Sequence, residues 1–288
     1  MTRPEPQILQ STSNPTVRRL VRMRDNRTRR RSGRLIVDGW RETKRAMKSG
    51  LELTGLFTIE ETSESVAENS EYQDVVSEAR AAGVWQPVST AVMSKISYGQ
   101  SQRGVVAEFI QPQQSLDDLR LPDSPLLLIL DRIEKPGNIG AVFRCADAAG
   151  IDAVILSDCA SDRFNPNAVR SSLGTVFSIP SAADTMENVQ QFLLEKQIRP
   201  LAARVESSEA LWSADWAGAI AIVLGSESMG LGDRWQTLPG TAVAGARSPI
   251  AGVQIPMRGD VDSLNISVSA AVIAFEAVRC RRAAVSRE

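Results

Sequence analysis

The sequence predicts an α/β protein: a parallel sheet covered on both faces in the second half, preceded by a smaller α/β unit, within 288 residues. Three observations carry this. Leu126–Leu130 is a continuous apolar run, the pattern of a strand buried on both faces. Similar short runs alternate with helical stretches through the second half. The first half has its own alternation and ends at a polar, Pro-containing connection. A chain of this length has room for two cores.

In chain order, residues 1–12 read as a flexible lead-in. Residues 14–31 read as one basic helix, with Asn14 as its cap and Pro15 at its first position. Strands are expected at Leu35–Val37, Leu51–Thr58, Val84–Trp85 and Val105–Ile110, with helices at Gly39–Lys48, Tyr72–Ala82 and Thr90–Ile96. This divides the first half into a basic arm at 1–30 and a small α/β sandwich at 31–111. A linker at 112–124 follows, and the second domain spans 125–288. Its strands are Leu126–Leu130, Ala153–Leu156, Leu201–Val205, Ala219–Leu224 and Val253–Ile255. Its helices are Asn138–Ala149, Asn167–Leu173, Met186–Lys196 and Asn265–Arg282. In the first of these, Ile139, Val142, Phe143, Ala146 and Ala149 share one stripe, and Gly150 ends it.

Composition excludes several chemistries. The chain has no histidine, which removes Ser-His-Asp and Cys-His catalysis and His-ligated metals. Cys145, Cys159 and Cys280 are odd in number and far apart, as expected of reduced thiols. No apolar run approaches the roughly 18 residues of a membrane span, and the N-terminus does not resemble a signal peptide. A cytoplasmic protein is expected, without membrane or metal. Net charge is −1, but residues 1–50 carry +10 and the remainder −11. The basic excess is mostly arginine: Arg18, Arg19, Arg22, Arg29, Arg30, Arg31 and Arg34 are the candidate phosphate contacts. Such a run points to a polyanion, nucleic acid ahead of a merely solvated helix face or tail, because arginine dominates over lysine and few acids are interleaved.

Three blocks combine small or polar residues with apolar strands: Asn138-Ile-Gly140-Ala-Val-Phe-Arg144, Gly225-Ser226-Glu227-Ser-Met-Gly230, and Ile255-Pro-Met257 with Ser263-Leu264-Asn265-Ile-Ser267. Open α/β sheets bind ligands at such strand ends. Asn138 and Asn265 either cap their helices or face a ligand. Arg144 lies opposite the apolar stripe, either solvated or directed at substrate. Glu227 either accepts from a cofactor or substrate hydroxyl or sits near a helix start, where its charge is favoured. Neither the dinucleotide fingerprint nor a phosphate-binding P-loop is present, which opposes a nucleotide-dependent oxidoreductase.

Taken jointly, the blocks resemble the SpoU/TrmH family of RNA 2′-O-ribose methyltransferases, in the SPOUT superfamily. The resemblance covers about 125–283, and Gly33–Gly39 is similar to the family's accessory domain, which resembles a small ribosomal-protein sandwich. It implies a sheet with a deep trefoil knot, S-adenosylmethionine as donor, and a homodimer. It implies cofactor contacts from Leu224, Gly225, Ser226, Gly230, Ile255, Met257, Leu264 and Ser267, and catalytic roles for Asn138, Arg144, Glu227, Ser263 and Asn265. The acceptor is the ribose of structured RNA, ribosomal RNA ahead of transfer RNA. A catalytically silent RNA-binding or ribosome-associated factor is the alternative. The stretch between Gly230 and Ile255 is longer than the resemblance leads one to expect and reads as an insertion beside the cofactor pocket.

Overall fold

The computed structural model describes residues 6–59, 69–98, 104–206, 208–226, 229–239 and 247–285. Its contacts divide the chain into two units: Met1–Gln113 with Asp162–Ser178, and Gln114–Ser161 with Ile179–Glu288.

The first unit starts with α1 (Pro15–Arg22) and α2 (Asn26–Ser32), which replace the single basic helix expected over 14–31. The break has a local cause. The Asp25 carboxylate accepts from the Thr28 N–H at 2.8 Å and caps a new helix. The carbonyls of Met23 and Arg24, left behind at the bend, each accept from Arg29 at 2.8 Å. Nor do residues 1–30 form a detached arm: Val17, Leu20 and Met23 are fully buried.

Then come β1 (Arg34–Asp38), α3 (Trp40–Lys48), β2 (Leu53–Ile59), α4 (Ser70–Ala82), β3 (Trp85–Val88), α5 (Thr90–Ile96) and β4 (Val105–Ile110). The sheet order is β1-β4-β2-β3, antiparallel except for the β2–β3 pair. Helices α1 and α5 share a core with Ile36, Phe57, Val88 and Val106, and α3 and α4 pack on the sheet as well. The expected lead-in is anchored: Leu9 bridges to Val88, and its N–H donates to the Pro87 carbonyl at 2.9 Å.

Residues 162–178, read from the sequence as part of the second domain, pack into this unit. Their helix α7 (Pro166–Ser171) contacts β1. A Cβ on Gly174 would lie 3.2 Å from the Glu42 Cα, on backbone at φ +84°. Glycine is required there by both space and conformation.

The second unit contains β5 (Leu126–Asp131), α6 (Pro136–Ala149), β6 (Ala153–Ser157), β7 (Ser181–Asp184), α8 (Met186–Glu195), β8 (Arg199–Ala203), β9 (Ser208–Ala210), β10 (Ile220–Leu224), β11 (Thr237–Pro239), β12 (Arg247–Pro249), β13 (Ala251–Gln254) and α9 (Ile266–Val285). Seven strands pair in the order β7-β6-β5-β10-β8-β13-β9, every pair parallel. Strands β5, β6 and β10 are buried along their whole length, as continuous apolar runs require. The residues expected to be a linker contribute Leu116 and Leu119 to the main core.

The long stretch after Gly230 is core as well. Leu231, Trp235, Leu238 and Ile250 join the cluster under the sheet, and β11 pairs with β12 as a hairpin. Helix α9 is tied down at its far end by Arg281, whose guanidinium donates to the carbonyls of Ser124, Pro125, Trp216 and Gly218.

Candidate functional site

Strand β5 ends at Asp131, and α6 begins five residues later with Pro136 at its first position, where a missing N–H is harmless. Helix α6 buries Ile139, Val142, Phe143 and Ala146, and it packs against α9, which buries Ile266, Ala270, Ile273, Ala274 and Ala277. This packing brings two of the sequence blocks together. Asn265 precedes α9, and its Oδ1 accepts from the Ser267 N–H at 2.9 Å and from the Ser267 hydroxyl at 2.6 Å. Its Nδ2 donates to the Asn138 Oδ1 at 3.5 Å, a long contact across 127 positions of sequence. Asn265 therefore caps its helix and faces the first block at once. The Cys145 thiol donates weakly to the Ser267 carbonyl at 3.6 Å at the same junction. Arg144, next to Cys145, is exposed on α6 and makes no ion pair with a described residue.

The third block walls a cleft of about 580 Å³ in the second unit. Val253, Ile255, Met257 and Leu264 supply an apolar surface, with Asp262 and Ser263 among the polar groups. The size and mixture suit a small organic ligand. An apolar wall beside carboxylate and hydroxyl groups fits a nucleoside bearing an amino-acid tail. Val205 and Val261 also line it and remain 65% and 59% exposed, a large apolar surface for two loops to leave in water.

The second block forms a closed turn at the end of β10, where Leu224 is buried. The Gly230 N–H donates to the Ser226 carbonyl at 2.8 Å, and the Met229 N–H to the Ser226 hydroxyl at 3.2 Å. A Cβ on Gly225 would lie 2.3 Å from the Gly230 carbonyl carbon. The space left by the missing side chain is thus filled by the chain's own backbone, where the sequence had suggested ligand approach. Glu227 lies outside the described residues.

One constellation was not anticipated. Asp131, fully buried at the end of β5, accepts from the Ser157 hydroxyl at 2.8 Å and from Arg234 Nε and Nη2 at 3.1 and 3.2 Å. Arg234 also pairs with Asp158. It thereby ties the segment after the Gly225–Gly230 turn to the carboxyl ends of β5 and β6. Arg132 and Asp158 beside it hold φ of 54° and 47°, uncommon for residues with a Cβ. The acid ending an apolar run is a faint sequence signal, and its partner 103 positions away offers none. Cys159 hangs from the same ends, its thiol donating to the Leu130 carbonyl at 3.2 Å; burial pushes its pKa up to about 12. Among the described residues no cluster of carboxylates and thiols is suited to a metal.

The arginine run divides by environment. Arg18, Arg22, Arg30 and Arg31 are exposed and pair with no described acid. Arg19 pairs with the buried Glu108, and Arg34 donates to Thr54 Oγ1 at 2.8 Å and lies 3.4 Å from Glu108. Arg29 corrects the sequence reading: its side chain is fully buried and bonded to Asp162 at 2.5 Å, so it presents nothing to a polyanion.

Two family models match the chain. The SpoU rRNA methylase family covers residues 125–275, and an MRM3-like substrate-binding domain covers 14–107. A Ralstonia nicotianae protein named 23S rRNA (guanosine-2′-O-)-methyltransferase RlmB is 35% identical over 217 residues, 73% of this chain and 82% of that one. Its Escherichia coli K12 namesake is 31% identical over 205 residues, 69% and 80% of the two chains. Among solved structures, an RNA 2′-O ribose methyltransferase superposes with TM-score 0.78 at 33% identity, covering 96% of this chain and all of that one. An AdoMet-bound rRNA methyltransferase from Sinorhizobium meliloti superposes with TM-score 0.81 at 25% identity, covering 95% and 98%. With its motif blocks placed at the strand ends and relatives matched along most of their length, the chain belongs to the SpoU rRNA methylase family.

Proposed function

We propose that this protein methylates a ribose 2′-hydroxyl of ribosomal RNA, using S-adenosylmethionine as donor. The contact of Asn138 with Asn265, beside a cleft lined by Ile255, Met257, Ser263 and Leu264, is the observation that carries the reading. When bound, the donor supplies a methyl group on a sulfonium, and Ile255, Met257 and Leu264 would hold it. The Gly225–Gly230 turn, including Ser226, would supply backbone contacts, and Ser267 fixes Asn265 from behind.

The chain's task is to align the acceptor oxygen and manage its proton. A guanidinium is a poor base, since its pKa exceeds about 12. Arg144 therefore contacts the 2′-oxygen and a neighbouring phosphate, stabilising charge as it develops, while a phosphate oxygen or water takes the hydroxyl proton. Asn138 and Asn265 orient the ribose, and Ser263 positions the hydroxyl. Glu227 belongs to the same reading as a partner for Arg144 or its neighbours. The knotted path is implied by family membership.

The working form is a homodimer in the cytoplasm. Val268, Val272 and Phe275 form one stripe on α9 and are 46%, 38% and 49% exposed. Three apolar side chains at helical spacing fit a second copy of the same face. Arg144→Ala is the test of the catalytic role: methyl incorporation into ribosomal RNA is expected to fall about 100- to 1000-fold with donor affinity unchanged. Undiminished turnover would refute it.

A further inference from the structure

The first unit carries its own cleft, of about 990 Å³, which the methyl-transfer site does not use. The segment 6–11 forms one side. It is fastened by the Leu9–Val88 bridge and by the Gln86 side-chain amide, which donates to the Gln7 carbonyl at 2.7 Å. Tyr72, Thr58, Arg80 and Trp85 form the other. Two of these lie together in a cation–π contact: the Arg80 Cζ sits over the Trp85 ring, 4.0 Å from its centre. The indole N–H donates to the Thr58 Oγ1 at 3.0 Å, which keeps the ring from swinging. Arg80 is exposed and Trp85 half-buried.

We infer that this cleft captures an unpaired nucleobase of the RNA, stacked on the Arg80–Trp85 pair. The inference rests on the RNA reading above and adds a subsite to it. Unpaired bases are recognised by stacking on aromatic rings and guanidinium planes, and here one lies over the other. The volume admits a nucleoside with space for its neighbours. Among the described residues Arg80 is the one charged residue lining the cleft, so its guanidinium can meet the adjoining phosphodiester as well as the base.

The test uses the full chain and two fluorescein-labelled probes at one salt concentration: a twelve-residue oligoadenylate and a blunt RNA duplex of the same length. Arg80→Ala, a surface change, should weaken the oligoadenylate by about 5- to 150-fold, the range of one lost base stack, and leave the duplex unchanged. Arg80→Lys keeps the charge without the plane and should be as weak as Arg80→Ala. Trp85→Phe keeps a ring and should bind within about threefold of the parent, as one π face replaces another. Equal losses on both probes, or rescue by lysine, would reduce Arg80 to a phosphate contact and overturn the subsite. So would an Arg80→Ala variant that binds oligoadenylate like the parent. A parent chain that binds oligoadenylate but transfers no methyl group would refute the activity while leaving this result standing, so the two failures are separable.

Discussion

Gly225→Ala is a small change with an exact structural address. Gly225 does not use the left-handed backbone region, so an alanine is permitted by φ. Only contact opposes it: the added Cβ would lie 2.3 and 2.4 Å from the Gly230 carbonyl carbon and oxygen, and 2.5 Å from the Leu231 nitrogen. These are backbone atoms, so no side chain can rotate away, and the turn must open by about 1 Å to restore ordinary contact near 3.4 Å. Overpacking of this kind costs about 1–3 kcal/mol. For a unit of this size that is a fall in Tm of about 2–4 °C per kcal/mol. Opening the turn also strains the Gly230-to-Ser226 and Met229-to-Ser226 hydrogen bonds and displaces the backbone proposed to meet the donor. If two backbone contacts to the donor, of about 0.5–1.5 kcal/mol each, are lost with the displaced turn, donor binding weakens about 5- to 150-fold. Calorimetric titration of S-adenosylmethionine with thermal unfolding measures both. A variant with parental Tm and parental affinity would show that the Gly225–Gly230 approach is not a constraint.

The arginine run separates two behaviours. Neutralising Arg30 and Arg31 should weaken RNA binding and lower its salt slope by about one to two, while Arg29→Ala should cost about 3–5 kcal/mol of stability by stranding Asp162; salt titrations and urea unfolding distinguish them. Arg234→Met leaves the buried Asp131 with Arg132 as its remaining charge partner and should destabilise the second unit by about 1–3 kcal/mol in urea unfolding. Cys159 has a folded pKa raised to about 12 from 9.0. Its stabilising contribution is therefore complete below about pH 9 and is lost as pH rises toward 12. Unfolding at pH 10 should show a deficit of about 1–2 kcal/mol that Cys159→Ala lacks, and alkylation of the native protein at pH 8.5 should spare this thiol.

Elements with strong apolar pattern were legible in the sequence. The helix at Thr90–Ile96 and the strand from Leu126 stand where periodicity puts them, because burial on one stripe or on both faces leaves a plain signature. The short strands β7, β9, β11 and β12, reading SAAD, SEA, TLP and RSP, carry no alternation and are made by neighbours supplying open edges. The basic helix divided because one cap, Asp25, outweighed a uniform run of helix formers. At the site, Asn265 could be placed at a helix start, but its contact with Asn138 depends on α6 packing against α9. Composition marked Arg29 as one arginine among many; a carboxylate 133 positions away removed it from the surface.

Because Asp162–Ser178 belongs with the first unit, the chain passes between the two units three times, at 113–114, 161–162 and 178–179. The amino-terminal half is therefore not a free-standing module that can be cut out at residue 113. Such a fragment would keep Arg29 in its interior without the Asp162 carboxylate and would take the Pro166–Ser171 helix away from β1. On the ribosome the same half must wait, unfinished, until its missing piece has emerged behind β6.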